Sequence, residues 1–201
     1  MYWICLHIFR HLAQKFLDIR QYACGISIQS DEKSVGASPA QALCGIAYTF
    51  FGGSGMDIIK LGADRFGEIK LLFRDVFMNE PWCDDWSDDI QLTEYLLDLT
   101  GNRNSLAFGL FDEDKLVGIA LGSIMHWCSG TEYYIYEFCI SRSRQHEGLG
   151  TVFLHGIEDI VRDMRIDHIF LQTEKNVPAY DFYRKNGFTE LEGHVSLVHK
   201  L

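Results

Sequence analysis

The sequence lacks any long hydrophobic run, any excess of basic residues and any clustered cysteine motif. No apolar stretch approaches the ~20 residues that a membrane-spanning helix requires, so no membrane partner is expected. Lysine and arginine number 18 against 28 aspartate and glutamate, which gives a formal net charge of −10. This balance argues against nucleic acid or an anionic membrane as a partner and favours a cationic one.

The six cysteines show no C-x-x-C or other metal-ligand spacing. An even number of cysteines is weak evidence for disulfides in a chain of this length, so a reducing cytoplasm is the expected location. His126, His194 and His199 are interpreted as structural, and no metal site is predicted. Cys139 lies in the middle of a predicted strand, where its side chain is expected to fill the core.

Apolar and aromatic residues are abundant, at 47% and 13% of the chain. They support a packed core, and 201 residues suffice for one domain of ordinary size with an appendage. Residues 1–55 hold four basic and three acidic residues, which leaves fourteen basic and twenty-five acidic residues in 56–201. The negative charge therefore belongs to the second of these segments.

Residues 1–55 are predicted to form an N-terminal extension, and residues 56–201 the domain. The segment that starts at Met1 is apolar but has no basic region before it and no cleavage site, so a signal peptide is not expected. The paired glycine codons before Met56 can encode a ribosome-binding site. We therefore expect Met56 to be the natural start and the extension to be a leader or to pack poorly on the domain.

From Met56 onward the sequence predicts the order β-α-α-β-β-β-α-β-α-β-β from hydrophobic periodicity and turn signals. Predicted strands cover residues 57–61, 106–111, 116–127, 132–141, 168–174, 188–191 and 195–200. Predicted helices cover residues 63–78, the segment between a Ser87 N-cap and Gly101, the segment after Gly150, and residues 178–185.

The stretch 134–150 has the pattern of a strand, a polar loop with glycines, and a helix start. The loop reads Q-H-E-G-L-G over residues 145–150. Unpaired backbone N–H groups and the helix dipole make such a loop an anion site, although a plain turn before a helix is the commoner explanation of two glycines. The loop lacks the Lys-Ser/Thr of a nucleotide P-loop and the longer spacing of a dinucleotide fingerprint.

A second motif, N-V-P-A-Y-D-F-Y-R-K-N-G-F, covers residues 176–188 after the strand that begins at His168. Together the two segments resemble the acetyl-CoA-binding core of the GNAT (GCN5-related) N-acetyltransferases, whose motifs are Q/R-x-x-G-x-G/A and N-x-x-A-x-x-F-Y-x-K-x-G-F. The resemblance covers about the last half of the chain. It implies an α/β fold: a mixed, mostly antiparallel sheet, flanked by helices, whose fourth and fifth strands (here those beginning at Glu132 and His168) splay apart.

The resemblance also implies that acetyl-CoA binds along the loop and between the splayed strands. Backbone N–H groups of residues 145–150 would bind the pyrophosphate, with Arg142 and Arg144 as nearby cations or as solvated loop residues. Asn176 would bond the pantetheine arm or simply cap the helix. The implied cofactor-binding residues are Phe138, Cys139, Ile140, Gln145, His146, Glu147, Gly148, Leu149, Gly150, Thr151, Asn176, Ala179 and Tyr183.

By the same resemblance Tyr183 is the general acid that protonates the sulfur of coenzyme A, the alternative being a core aromatic. A protonated amine also needs a base, and Glu132 and Glu137 lie on the strand that faces the acetyl group. Five residues separate them, which predicts opposite faces of the strand. The run E-x-Y-I-Y-E resembles the E-x-Y-I-Y-D strand of small aminoglycoside 3-N-acetyltransferases, which favours Glu137 as base over an exposed strand carboxylate.

The acidic, tryptophan-bearing run N-E-P-W-x-D-D-W-S-D-D lies between the first two helices, the segment that walls the acceptor pocket in GNAT enzymes. It is similar to that of aminoglycoside 6'-N-acetyltransferases, and carboxylates with aromatic walls attract a polycation. Asp88 and Asp89 are explained equally well as a solvated helix cap. The predicted substrate-binding residues are Glu80, Trp82, Asp84, Asp85, Trp86, Glu132, Tyr134 and Glu137.

The resulting hypothesis is an aminoglycoside N-acetyltransferase that confers antibiotic resistance by direct attack of the amine in a ternary complex. Regiochemistry at position 6' or 3 stays open. A polyamine or other small cationic amine as substrate, and a non-catalytic acetyl-CoA-binding module, are the alternatives. Homodimerisation through the two closing strands is a further expectation from the family.

Overall fold

The computed structural model describes residues 50–52 and 55–200. These residues contain six strands: β1 (Phe50–Gly52), β2 (Met56–Lys60), β3 (Ser105–Asp112), β4 (Lys115–Trp127), β5 (Gly130–Ile140) and β6 (His168–Leu171). The same part of the chain contains four α-helices: α1 (Phe66–Phe77), α2 (Asp89–Thr100), α3 (Leu149–Asp163) and α4 (Pro178–Lys185). Short 3-10 turns lie at Ala63–Arg65 and Arg142–Arg144.

The strands form one sheet in the order β1-β2-β3-β4-β5-β6. All neighbours are antiparallel except β5 and β6, which are parallel. Parallel pairing ends at Ile135 and Leu171, whereas β5 continues to Ile140. The mixed, mostly antiparallel sheet with two splayed strands is therefore confirmed.

The sheet is covered on both faces, which explains the nearly continuous burial of β3 and β4. One face packs against α3 and α4 around residues such as Tyr133, Ile135 and Phe153. The other face packs against α1 and α2 around residues such as Ile119 and Cys139. The prediction that Cys139 fills the core is confirmed, since its side chain is buried in this second cluster.

A β-bulge interrupts β5 at Tyr136. The β4 residue Leu121 pairs with Glu137, while the next residue, Gly122, pairs with Ile135, so Tyr136 is an extra residue. Such an insertion breaks the alternation of side chains. Glu137 therefore lies on the α1–α2 face, the face that also carries Glu132, and the expectation that the two carboxylates lie on opposite faces is wrong.

Two further expectations need correction. The N-cap of α2 is Asp88 rather than Ser87, because the Asp88 carboxylate accepts bonds from the backbone N–H groups of Ile90 and Gln91 at 2.9 and 3.1 Å. The two closing strands are absent from the described residues 188–200. An alternating apolar pattern forms a strand only beside a pairing edge, and here Val195 and Leu197 are 70% and 86% exposed.

The predicted N-terminal extension lies largely outside the described residues. Its residues 50–52 form β1, which pairs antiparallel with Met56–Ile58 of β2. In the described ranges, no helix combines the length and the apolar character needed to cross a bilayer.

Candidate active site

The loop between β5 and α3 turns through two left-handed residues. His146 has φ +65° and Gly148 has φ +80°, and Gly148 is the N-cap of α3. The Gln145 amide donates a hydrogen bond of 3.0 Å to the Ile140 carbonyl, which ties the loop to the end of β5. Residues 145–148 are exposed. Backbone N–H groups at this helix start are therefore accessible to an anion, as the sequence predicts.

Leu149 and Gly150 fix the start of α3 against the rest of the domain. The Leu149 side chain is buried in the core cluster beside α4. A Cβ atom at Gly150 would lie 3.2 Å from the Phe182 ring, so a side chain there would push α3 away from α4. The glycine is explained by this close approach, and Thr151 follows it half-buried in the first turn.

The cations beside the loop already have protein partners. The Arg144 guanidinium bonds to the Glu147 carboxylate at 2.8 Å and to the Asp112 carboxylate, and these bonds raise the pKa of Arg144. Arg142 lies 3.9 Å from Asp75. Because Arg144 offsets the charge of Glu147, that carboxylate does not disqualify the loop as a phosphate site.

The splay leaves the end of β5 without a strand neighbour on the β6 side among the described residues. This segment comprises Phe138, Cys139 and Ile140. The Phe138 ring packs on Phe153 and Phe182 at centroid distances of 5.3 and 5.8 Å, which orients its side chain toward α3 and α4. Its main chain therefore borders the gap, where it can pair with an extended ligand.

Tyr183 lies on α4 and is buried in the core cluster, where its ring meets Phe138 at the end of β5. Its ring is 9% exposed and lies 6.3 Å from the Phe138 ring and 5.5 Å from the Phe188 ring. Burial raises the pKa of the phenol, and the charges of Glu137 and Cys139 add to the effect. The phenol thus remains protonated at neutral pH, as a proton donor must.

The other predicted donor-site residues of the second motif lie at the start of α4. Ala179 is half-buried and packs on the core cluster. Asn176 is exposed and precedes the N-cap, which is Val177, and no side-chain cap bond is formed there. The capping alternative for Asn176 is therefore excluded in this conformation, and its amide faces solvent.

Glu137 forms the centre of an acidic, aromatic cluster on the opposite face of the sheet. Tyr95 of α2 donates a hydrogen bond to Glu137 Oε1. Burial raises the pKa of Glu137 to about 7, the Tyr95 hydrogen bond lowers it, and the nearby Asp84 charge raises it further. A carboxyl with this pKa is a suitable general base at neutral pH. The side chain is half-buried and bonded to Tyr95, so it is not an exposed strand carboxylate.

Only part of the acidic run between α1 and α2 lies in this cluster. Trp86 stacks on Tyr95 at 5.0 Å and meets Phe73 edge-on at 5.4 Å. Burial raises the pKa of Asp84, although the Trp86 side chain partly offsets it and Glu174 adds to it. Trp86 and Asp84 therefore form one wall beside Glu137.

The other residues of this run that were predicted to bind the acceptor have contacts outside the Glu137 cluster. The side chain of Ser87 and then its backbone N–H lower the pKa of Asp85. The backbone bond is 3.1 Å long, and it explains Asp85 as a turn residue. Trp82 packs on Phe77 at 5.9 Å. Glu80 is exposed.

Glu132 and Tyr134 lie on the same face as Glu137 but nearer the start of β5. Glu132 is 2% exposed and lies 2.8 Å from His168 Nε2, and its other oxygen has no hydrogen-bond partner among the described residues. At about 3.3 Å per residue, Glu132 is roughly 15 Å along the strand from Glu137. Tyr134 donates to the Gln172 side chain at 3.1 Å.

Sequence reasoning missed two residues of the cluster. Tyr95 lies in the helix predicted before Gly101 and Glu174 ends the strand predicted over residues 168–174, and the sequence assigns neither a role at the site. Tyr95 is 42 positions from its partner Glu137, and no local pattern indicates such a contact. In 55–200 and the short strand before it, no group of histidine, cysteine and carboxylate side chains could hold a metal ion.

Comparisons with known proteins agree with this geometry. The profile of the Acetyltransferase (GNAT) family matches residues 68–188, more than half of the chain. No curated protein matches the sequence closely enough to carry an argument.

Solved structures share the fold at low sequence identity. An aminoglycoside acetyltransferase, meta-AAC0020, from an uncultured soil metagenomic sample, solved with sisomicin, is 22% identical with a TM-score of 0.58, covering 74% of this chain and 98% of its own. The aminoglycoside acetyltransferase AAC(6')-Iy, solved with a bisubstrate analogue of coenzyme A and acetylneamine, is 16% identical with a TM-score of 0.57, covering 74% and 99%. An integron cassette protein from V. cholerae is 16% identical with a TM-score of 0.62, covering 74% and 94%.

The loop at the start of α3, the open edge of β5 and the protonated Tyr183 fit the phosphate, pantetheine and thioester parts of an acyl-CoA. With the family match, these features give the identity: the chain belongs to the GNAT family and is an N-acetyltransferase that uses acetyl-CoA.

Proposed function

We propose that this enzyme transfers the acetyl group of acetyl-CoA to a primary amine of an aminoglycoside antibiotic, and so acts as a cytoplasmic resistance enzyme. The observation that supports this proposal is the cluster of Glu137, Tyr95, Trp86 and Asp84 beside the splayed strands. It combines carboxylates with flat aromatic walls. Such a surface attracts and orients a ligand with several ammonium groups.

Acetyl-CoA binds on one face of β5, and the amine approaches from the other face. The donor is held by backbone groups of residues 145–150 and by the main chain of residues 138–140, on the side that faces α3 and α4. The amine approaches from the side that faces α1 and α2, where Glu137 lies. Because β6 has diverged at this level, the two sides are connected through the gap, and the amine can attack the thioester directly in a ternary complex.

Glu137 is the proposed general base. The amine reaches the site mostly as an ammonium ion, since its ordinary pKa is near 10. Transfer of a proton to the Glu137 carboxylate, directly or through water, leaves a neutral amine whose lone pair attacks the acetyl carbon. Burial sets the pKa of Glu137 at about 7, which makes it a far better proton acceptor than an ordinary glutamate.

Tyr183 is the proposed general acid. When the carbon–sulfur bond breaks, the electron pair leaves with the sulfur, and the Tyr183 hydroxyl supplies the proton that converts the thiolate to a thiol. After attack the nitrogen still carries one proton more than the amide keeps, and this proton restores the Tyr183 hydroxyl. The products are the acetylated amine and coenzyme A, with the first ammonium proton on Glu137. The burial of Tyr183 among Phe138, Phe182 and Phe188 keeps water from competing as the donor.

Solved aminoglycoside acetyltransferases share the fold of this chain. Those proteins were solved with sisomicin and with an acetylneamine conjugate, and each is covered almost completely by this chain. Their identities of 22% and 16% speak for the shared fold rather than for the acceptor. The acidic cluster carries the argument for the acceptor.

The test is a thiol-release assay with kanamycin, gentamicin and spermidine as acceptors. We expect turnover with at least one aminoglycoside, and NMR of the product to identify the acetylated nitrogen. Turnover with spermidine alone would replace the proposal by a polyamine acetyltransferase, for which the same acidic cluster would serve. Binding of coenzyme A without turnover of any amine would indicate a non-catalytic module.

The proposed homodimer is tested separately by sedimentation. A mass near 46 kDa, twice the 23.1 kDa of one chain, is expected. A single species near 23.1 kDa at all concentrations would contradict the dimer.

A further inference from the structure

The hydroxyl of Tyr95 makes a long-range contact that the mechanism above does not use. Tyr95 belongs to α2, and its hydroxyl donates to Glu137 Oε1 across 42 positions of sequence. The ring is held from both sides, by Trp86 at 5.0 Å and by Phe73 at 5.9 Å. The tyrosine is therefore fixed before any substrate binds.

The contact leaves one carboxylate oxygen of Glu137 for the proton. A carboxylate has two oxygens, and Oε1 accepts the tyrosine hydrogen bond. Oε2 is then the oxygen that can accept a proton from an incoming ammonium group. Because the hydrogen bond to Oε1 holds the carboxylate in one orientation, the lone pairs of Oε2 point in one direction.

We propose that Tyr95 is the positioning residue of the general base: it orients the Glu137 carboxylate toward the acceptor cleft and stabilises its ionised form. This inference rests on the proposed role of Glu137 in acetyl transfer. Tyr95 itself touches no reacting atom. It acts through Glu137, as the third group of a catalytic triad acts through its histidine.

The titratable groups that face Glu137 come from four elements. Tyr95 lies on α2, Asp84 on the loop between α1 and α2, Cys139 on β5 itself and Tyr183 on α4. The Tyr95 hydrogen bond lowers the pKa of Glu137, whereas burial and the Asp84 charge raise it. Removal of Tyr95 or of the Asp84 charge should therefore move the pKa in opposite directions.

The test compares Tyr95→Phe, Tyr133→Phe and Asp84→Asn by the pH dependence of kcat/KM. Loss of a hydrogen bond to a charged group changes a pKa by about one unit or more. Tyr95→Phe should therefore raise the pKa of Glu137 by about one unit, and the acid limb, which is the low-pH fall of kcat/KM, should move to higher pH by the same amount. At pH 7 that lowers kcat/KM about fivefold, because fewer molecules hold an ionised Glu137. Asp84→Asn should move the same limb to lower pH.

Tyr133→Phe is the matched control. Tyr133 is also a buried tyrosine, and its hydroxyl donates to the Leu106 carbonyl at 3.0 Å, on the other face of the sheet. The control removes a buried hydroxyl without touching Glu137, so it should cost stability and leave the acid limb in place. The inference would be overturned if kcat/KM fell at the same acidic pH in Tyr95→Phe as in the wild type. It would also be overturned if Tyr133→Phe moved that pH as far as Tyr95→Phe does.

A measurement without substrate separates this inference from the proposed function. NMR titration of 13C-labelled glutamate, with the Glu137 signal identified by its loss in Glu137→Gln, reports the pKa of Glu137 directly. A higher pKa in Tyr95→Phe supports the inference even if no amine is acetylated, and an unchanged pKa refutes it even if aminoglycosides are excellent substrates.

If Tyr95→Phe does not fold, the wild-type protein still decides the matter. The Tyr95 hydroxyl proton should appear at low field and move with the midpoint of the Glu137 titration. A Tyr95 hydroxyl signal that is indifferent to that titration would refute the contact.

Discussion

At the scale of single residues, Tyr183 and Glu137 have opposite proposed roles, acid and base, and their surroundings separate their proton affinities. Burial raises the pKa of both groups, but from very different ordinary values. The phenol therefore stays protonated, while the carboxyl titrates near neutral pH. The acid and the base of the proposed reaction are thus both in the required state at about pH 7.

Tyr183→Phe is predicted to lower kcat about 100-fold while the affinity for coenzyme A is retained, because the ring keeps its packing and only the proton is lost. Tyr180→Phe, one turn earlier on α4, is the control, since the Tyr180 hydroxyl bonds to Glu190 at the surface. Steady-state kinetics and calorimetric titration with coenzyme A measure the two quantities. A Tyr183→Phe enzyme with normal kcat would remove the phenol from the mechanism.

Glu137→Gln is predicted to change how stability depends on pH. The folded-state pKa of about 7 lies above the ordinary value of 4.5, so between these values the folded protein binds a proton that the unfolded chain releases. The wild type therefore loses stability as pH rises from 5 to 8, and the glutamine variant does not share this loss.

The advantage of Glu137→Gln in Tm over wild type should thus be larger at pH 8 than at pH 5, as measured by thermal unfolding. Glu94→Gln, which replaces an exposed carboxylate on α2, should show no such difference. An advantage that is the same at both pH values would show that Glu137 has an ordinary pKa.

At the scale of elements, the start of α3 depends on backbone geometry rather than on side chains. Gly148 needs φ +80°, and open space surrounds the position where its Cβ would be. A non-glycine residue pays about 1–2 kcal/mol for the left-handed conformation, and this cost does not involve a clash. The loop therefore keeps its shape only as long as position 148 tolerates that φ.

Gly148→Ala is predicted to raise KM for acetyl-CoA about tenfold, because about 1.4 kcal/mol of strain displaces the phosphate-binding N–H groups. Gly67→Ala is the matched control: it also faces open space but lies inside α1 with an ordinary φ. That variant should bind acetyl-CoA normally and be slightly more stable. Equal KM values in the two alanine variants would contradict the anion site at the start of α3.

The bulge in β5 acts at the same scale. One extra residue at Tyr136 moves Glu137 onto the face that α1 and α2 cover, next to Tyr95 and Trp86. Gly122 permits it, since a Cβ there would lie 2.3 Å from the Tyr134 carbonyl. The face of β5 on which Glu137 lies is therefore decided by one inserted residue and one missing side chain.

At the scale of the whole molecule, the net charge of −10 and its concentration after residue 55 favour a cationic acceptor. Such attraction is screened by salt, with a Debye length of about 10 Å at 0.1 M. The KM for an aminoglycoside is predicted to rise several-fold between about 0.05 and 0.5 M NaCl. Initial-rate kinetics at fixed acetyl-CoA measure this directly.

The same salt series is measured for Asp84→Asn. This variant removes one negative charge beside Glu137 and leaves the acetyl-CoA site unchanged. Its KM should be higher at low salt and should depend less on salt than that of the wild type. A salt dependence identical in both proteins would assign the attraction to the overall charge rather than to the cleft.

The sequence by itself determined the features that follow from local backbone geometry. The spacing of apolar residues predicted the helices and most strands. The glycines of residues 148–150 predicted the start of α3, and Pro178 predicted the start of α4 (Pro178–Lys185). These features depend on neighbours within a few positions, so a linear pattern records them. The resemblance to the GNAT motifs then predicted the mixed, mostly antiparallel sheet with its two splayed strands.

Only the tertiary structure decided which side chains meet. The bulge at Tyr136 reversed the expected face of Glu137, and packing of α2 brought Tyr95 to it from 42 positions away. Strand formation at residues 188–200 was likewise not decided by alternation, because a strand exists only with a paired edge. Each outcome depends on contacts between distant segments, and one inserted residue is enough to change them.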